Sequence, residues 1–287
     1  MKDLMSLLFE TNAFKVCAEN KPFWYTSGKI GPYFINTHFL YGSESDANGL
    51  LDFINEELAT EDKLNIPTNI FEKVLTQYNT NEIFKTVIDS LKSFIEENIN
   101  TSEIDYISGG ERRDWYFSNI IAYLLNKPHI TIYKDLSTVE STFDFKENKN
   151  ITELKDKKVL HIADLLNQSS SYVRAWVPAI KDLGSSICWS TVVVDRKQGG
   201  LETLENMGIK SLSLLNIDES LFTKALELNI INESQLDMLK EFTKDPDGSM
   251  RNFLINHPEF LENALASDEK TAKRAKLCID SNLYNLN

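Results

Sequence analysis

Between Ile104 and Val194, short runs rich in β-branched residues alternate with longer stretches of helical periodicity, and no other feature constrains the fold as strongly. The strand candidates are Ile104 to Ile107, His129 to Tyr133, Val159 to Ile162 and Ile187 to Val194. Helices are expected over about Trp115 to Asn126 and Ser171 to Leu183, with a polar loop after Tyr133. Strands connected through helices run parallel, and the helices cover the sheet, so the series predicts a mainly parallel α/β sheet. Pro178 has no amide hydrogen and is expected to bend or offset its helix, while Gly184 is the expected stop.

The flanking segments differ in character. A first helix near Leu4 to Thr11 leads into Phe23 to Asn36, where Gly28, Gly31 and Pro32 break any helix and Tyr33, Phe34 and Ile35 favour a strand. This reads as a small cap, residues 1–42, built before the core. Residues 43–100 are helical in pattern: Leu50, Leu51, Ile54 and Leu58 share a face, and Ile83, Phe84, Val87, Ile88, Leu91, Phe94 and Ile95 form a second stripe with Asn79 and Thr80 as cap candidates. The α/β core then spans 101–216, the chain after Gly200 reads as largely helical and charged, and 217–287 is a helical extension with a turn expected at Pro246, Asp247 and Gly248. The Asn- and Lys-rich stretch Asp144 to Lys158 reads as an exposed, mobile loop.

A hydrophobic fraction of 42% in 287 residues is enough for a sizeable core. The net charge of -13 argues against nucleic acid as a general partner, so anionic substrates need local pockets of Arg and Lys. Cys17, Cys188 and Cys278 are scattered and odd in number, which fits a reducing cytoplasm better than a disulfide framework. No apolar run approaches the ~18 residues that cross a bilayer, so no membrane partner is expected. His38, His129, His161 and His257 share no metal-ligand spacing, no metal site is expected among them, and no Ser-His-Asp set is evident. His161, on an apolar strand, reads as a satisfied core histidine.

Ligands of open α/β sheets bind beyond the carboxyl ends of the strands. After Ile107 stand Ser108, Gly109 and Gly110, whose bare backbone suits a phosphate, followed by Arg112 and Arg113; the alternative is a solvated turn in which Glu111 and Asp114 neutralise the arginines. After Ile162, Asp164 is a carboxylate suited to ribose hydroxyls, and Asn167, Gln168, Ser169, Ser170 and Ser171 suit a phosphate at a helix start, or form a simple helix cap. After Val194, Asp195 and Arg196 precede Gly199 and Gly200; a planar guanidinium presents paired donors that Lys cannot copy, although a surface Arg in a Gly turn reads the same way. Lys134 follows the strand ending at Tyr133.

Four segments stand in one order: the aromatic run with Ser27-Gly28-Lys29 and Pro32-Tyr33-Phe34, the strand and Gly-rich loop Ile104 to Asp114, the strand and loop Val159 to Ser171, and Val192 to Gly200. Together they resemble orotate phosphoribosyltransferases of the type I phosphoribosyltransferase family. The resemblance implies that family's α/β fold with an N-terminal cap and added helices, and transfer of phosphoribosyl from phosphoribosyl pyrophosphate to orotate. The products would be orotidine monophosphate and pyrophosphate, Mg²⁺ would be carried with phosphoribosyl pyrophosphate, and the assembly would be a homodimer. It assigns Ser27, Lys29, Tyr33, Phe34 and Arg196 to the base, and Asp164 to the ribose hydroxyls. Lys134 becomes the first contact of a basic catalytic loop; Ser108, Gly109, Gly110, Arg112 and Arg113 take pyrophosphate, and Asn167 to Ser171 take the 5′-phosphate. The chain departs from the family pattern at Ala163, where a first acid is typical, and after Lys134-Asp135, where a His and a Gly are missing. Those departures leave room for a weak or inactive nucleotide-binding protein that regulates a partner, or for an enzyme acting on another base.

Overall fold

The computed structural model describes residues 3–286; Met1, Lys2 and Asn287, the outer ends of the segments 1–42 and 217–287, lie outside them. The chain divides into two units. One holds the described residues through Asn12 together with Thr37–Ile217, and the other holds Ala13–Asn36 with the chain from Asp218 onward. The sequence segments are therefore regrouped: 43–100 joins the α/β core, and the heart of the cap joins the C-terminal helices.

In the first unit the helices preceding the sheet are α1 (Leu4–Glu10), α2 (Glu44–Ala59), α3 (Ile66–Thr80) and α4 (Glu82–Asn98). The apolar stripe of α4 buries Phe84, Val87, Ile88, Leu91 and Ile95, each burial contributing ~1.5–3 kcal/mol. Its cap is Asn81 rather than Asn79 or Thr80, because α3 continues through Thr80; the Asn81 side chain accepts from the Phe84 amide at 3.0 Å.

The sheet has seven strands, β1 (Tyr106–Gly110), β2 (His129–Ile132), β3 (Thr138–Ser141), β4 (Asn148–Asn150), β5 (Lys158–Leu166), β6 (Ser186–Asp195) and β7 (Lys210–Asn216), in the order β7-β6-β5-β1-β2-β3-β4. The β7, β6, β5, β1 and β2 neighbours are parallel, with α5 (Trp115–Leu124), α6 (Val177–Asp182) and α7 (Gly200–Asn206) in the connections. β3 follows β2 after a short turn, too short for a crossover, so β3 and β4 add antiparallel at the edge. From β1 the chain steps to β2 on one side and later resumes with β5 on the other, which makes the β1/β5 boundary the topological switch point.

Several expectations change, and the stretch after Gly200 that reads as largely helical contributes β7. β1 runs through Gly110 and β5 through Leu166, so Ser108, Gly109, Gly110 and Asp164 are strand residues rather than loop residues. The stretch read as a mobile loop contributes β4 and buries Phe145, which stacks on Phe71 at 4.3 Å, and Leu154, which joins the core beside the sheet. The helix carrying Pro178 opens with a π-turn, Tyr172–Trp176, before α6, which accommodates a residue that cannot donate to the preceding turn.

In the second unit two short ladders, Phe14–Val16 with Tyr33–Ile35 and Phe23–Trp24 with Ile30–Gly31, pack with α8 (Glu219–Glu227), α9 (Glu233–Lys244), α10 (Pro246–Asn256), α11 (Glu259–Leu265) and α12 (Glu269–Asp280). Isolated two-stranded ladders are marginal in water. The C-terminal helices supply the missing apolar partners, as in Tyr33 against Phe242 at 5.8 Å. Pro246 does not mark a turn but opens α10, where its absent amide hydrogen costs nothing and Asp245 caps the Gly248 amide.

Candidate active site

At the switch point one buried carboxylate holds two strand ends. Asp114, 7% exposed, accepts the Gly110 amide on Oδ2 and the Asp164 amide on Oδ1, both at 3.0 Å. Trp115 Nε1 donates to the Gly109 carbonyl at 3.0 Å. The two glycines are required by packing: a Cβ on Gly109 would overlap the Ser118 side chain, and one on Gly110 would overlap the Trp176 indole. Behind them Ser108 Oγ meets His161 Nδ1 at 2.8 Å, and His161 Nε2 lies 3.5 Å from Asp114 Oδ2. A Ser-His-Asp chain that the sequence does not reveal is thus assembled, but Ser108 and His161 are fully buried, where no reactant can meet the hydroxyl. It is a polar chain of the core.

Asp164 is half-buried at this boundary. Burial, and then the neighbouring Asp114 carboxylate, push its carboxyl well above the ordinary range, and Arg113 opposes them.

The loop after β1 distributes its charges in a specific way. Glu111 accepts the Lys134 amide at 3.1 Å and pairs with Lys134 Nζ at 3.3 Å, while Asp114 is engaged by backbone amides. Arg112 donates to Asn55 of α2, and Arg113 is exposed. The two carboxylates of this loop are therefore committed to Lys134 and to amides, which weakens the reading in which they neutralise the arginines. The Glu111–Arg112 peptide is cis.

Beyond β5, Asn167, Gln168, Ser170 and Ser171 are exposed, and Ser169 is buried with φ of 59°. The Ser169 hydroxyl donates to the Gly200 carbonyl at 2.7 Å, so it ties this loop to the turn after β6 instead of facing solvent. A Cβ on Gly200 would lie 2.5 Å from the Asn167 carbonyl oxygen, which is why that position must be bare. Arg196 donates its amide to the Leu166 carbonyl at 2.9 Å. Asp195 is buried, accepts the Lys197 amide at 2.9 Å, and has its carboxyl raised chiefly by burial. Because β6, β5, β1 and β2 are parallel neighbours, Arg196, Asp164 with the serine loop, the Gly110 end and Lys134 reach one edge of one sheet.

The remaining base-side residues belong to the second unit. Strand alternation turns Tyr33 inward, 3% exposed against Phe14 and Phe242, and Phe34 outward at 37%. Lys29 pairs with Asp247 at 2.7 Å, and Ser27 is exposed. The sequence suggests for Asp114 only a charge that neutralises the neighbouring arginines, and its part in holding the strand ends is missed because its partner amide at Asp164 lies 50 positions away.

No protein-family model matches the sequence. Over 166 residues, 57% of this chain and 78% of the relative, it is 26% identical to an orotate phosphoribosyltransferase of Sulfolobus acidocaldarius. Over 129 residues, 41% of this chain and 70% of the relative, it is 30% identical to an adenine phosphoribosyltransferase of Koribacter versatilis. Among solved structures, Leishmania donovani UMP synthase superposes with a TM-score of 0.55 at 16% identity, covering 83% of this chain and 41% of that one. Orotate phosphoribosyltransferase of Francisella tularensis gives 0.54 at 16% identity, covering 84% of this chain and 96% of that one. At such identities the structural likeness speaks for the fold.

Proposed function

Because the chain belongs to the type I phosphoribosyltransferases, a family of glycosyltransferases, we propose that it transfers phosphoribosyl from phosphoribosyl pyrophosphate to orotate, giving orotidine monophosphate and pyrophosphate. The observation that carries this reading is the juxtaposition of Asp164 and Arg196 at the ends of the paired strands β5 and β6, linked through the Arg196 amide and the Leu166 carbonyl. The C1′–O bond breaks with its electron pair leaving on pyrophosphate, and the base nitrogen, its proton passing to the departing pyrophosphate or to water, forms the new bond to C1′. The sugar becomes oxocarbenium-like between these events, so positioning and charge stabilisation supply most of the acceleration. In this scheme the ionised Asp164 accepts from the ribose hydroxyls and favours the positive sugar. Arg112 and Arg113 meet the pyrophosphate, with Lys134 beside them. Asn167, Gln168, Ser170 and Ser171 receive the 5′-phosphate, and Arg196 pairs with the base.

Mg²⁺ would travel on the diphosphate oxygens and offset their charge. Among the described residues no group of three or more His, Cys, Asp or Glu gathers to form a metal cage. The reading includes a homodimer, open to test by sedimentation, and a reducing cytoplasmic setting, supported by three free, scattered cysteines. No described helix is long and apolar enough to cross a membrane.

A second reading, transfer to a different base, is favoured by the 30% identity with the adenine enzyme. The deciding experiment measures pyrophosphate release with orotate, uracil, adenine and hypoxanthine in turn, each with phosphoribosyl pyrophosphate and Mg²⁺. Turnover with orotate alone is expected. Turnover with adenine and not orotate replaces the substrate, and binding without turnover for every base favours the nucleotide-binding alternative that Ala163 suggests.

A further inference from the structure

The sheet is incomplete at its switch point. β1 and β5 pair at Tyr106–Val159, Ile107–Leu160 and Ser108–His161, and there the ladder between them ends. Yet β1 stays paired to β2 through Gly110, and β5 stays paired to β6 through Leu166. The two strand ends diverge while each remains held on its outer side, and amides in the opening need another acceptor. Asp114 supplies it, with one carboxylate oxygen for Gly110 and the other for Asp164. Trp115 Nε1 takes the Gly109 carbonyl on the same side.

We propose that Asp114 is a positioning residue of the phosphoribosyl site: its carboxylate replaces the missing ladder between β1 and β5 and thereby holds the Asp164 backbone where its side chain meets the ribose. The inference rests on the reading of Asp164 as the ribose carboxylate. Neither strand end can close onto the other while the carboxylate stands between them, so the crevice is built into the sheet rather than opened by a ligand.

The same placement has an electrostatic consequence. The groups facing the two carboxylates are His161 from β5, Arg113 from the loop, Tyr116 from α5 and Tyr172 from the π-turn, whose hydroxyl meets Ser190 of β6. Of these Arg113 favours an ionised Asp164, whereas burial and Asp114 oppose it. Removing the Asp114 charge therefore lets Asp164 ionise at lower pH. Asp114→Asn retains one acceptor oxygen and sets its amide nitrogen, a donor, against the second backbone amide, so one of the two bridges is lost together with the charge.

The test compares pH–rate profiles of the parent and Asp114→Asn with phosphoribosyl pyrophosphate, Mg²⁺ and whichever base the parent turns over. The expected result is a fall of about 10- to 100-fold in kcat, with the acid limb displaced downward by about one pH unit or more. A variant that melts earlier while its acid limb stays in place overturns the proposal, because a merely structural role moves stability alone. A second measurement needs no folded Asp114 variant: carboxyl ¹³C NMR of Asp-labelled parent protein, with the Asp164 signal assigned by its loss in Asp164→Asn. Burial alone raises the titration of that signal in a single step, so a two-step titration that registers the ionisation of the neighbouring carboxylate supports the coupling, and a single step overturns it. If Asp164→Asn keeps full turnover, the assignment of the phosphoribosyl site fails instead, while the titration still judges the Asp114–Asp164 pair.

Discussion

Asp164→Asn separates what this side chain does for catalysis from what it costs the fold. The substitution keeps the shape, and the backbone amide that donates to Asp114 is untouched. In the folded protein the carboxyl is raised by burial and by Asp114 above its unfolded value of ~3.9. The folded state therefore binds the proton more tightly than the unfolded state between those two values. Stability falls as pH rises through that window, and the full penalty persists above the folded value. Each pH unit of displacement corresponds to ~1.4 kcal/mol. Asparagine carries no charge at any pH, so the variant should be more stable than the parent at pH 8, with the difference shrinking toward pH 4. Turnover should move the opposite way, falling by ~10²-fold, or ~2.7 kcal/mol of transition-state stabilisation, with a smaller change in ground-state binding. Urea melts of both proteins across pH and steady-state pyrophosphate release measure the two effects. A stability difference that does not vary with pH, or an unchanged turnover, would refute the reasoning.

Arg196→Lys should weaken use of orotate far more than binding of phosphoribosyl pyrophosphate, since Lys loses the planar double donor; equal losses for both ligands would remove Arg196 from the base site. Replacing Arg112 and Arg113 together with Ala should sharply lower pyrophosphate affinity in calorimetry with circular dichroism unchanged, and intact affinity would return them to a solvated surface. Gly110→Ala forces a methyl group onto the Trp176 indole and should destabilise the protein by ~1–3 kcal/mol in denaturant melts. A melt identical to the parent's would mean that Trp176 does not press on the β1 end.

Sequence periodicity by itself determined the long helices and the parallel strands β1, β2, β5 and β6, whereas β7 lies in a stretch that reads as helical and is fixed by pairing with β6. Burial of α4 follows from a stripe of Phe84, Val87, Ile88, Leu91 and Ile95 that has only one face to hide, and the β-branched runs of β1, β2, β5 and β6 have no helical period. Local chemistry likewise determined that Asp164, Arg196 and the serine loop end strands of one sheet, because parallel strands deliver their carboxyl ends to the same edge. Where those strands stop was decided by neighbours: Gly109 and Gly110 read as a loop, yet pairing with β2 and the bulk of Ser118 and Trp176 hold them in β1. The tertiary structure alone decided that Phe145 anchors a polar stretch on Phe71, and that Tyr33 rests on Phe242 of α9. It alone decided the work of Asp114, because a carboxylate acquires its meaning from the amides that converge on it, and one of those, Asp164, lies 50 residues along the chain. Periodicity records which face of an element seeks burial; which partner meets that face depends on contacts between residues remote in sequence, to which no local pattern responds.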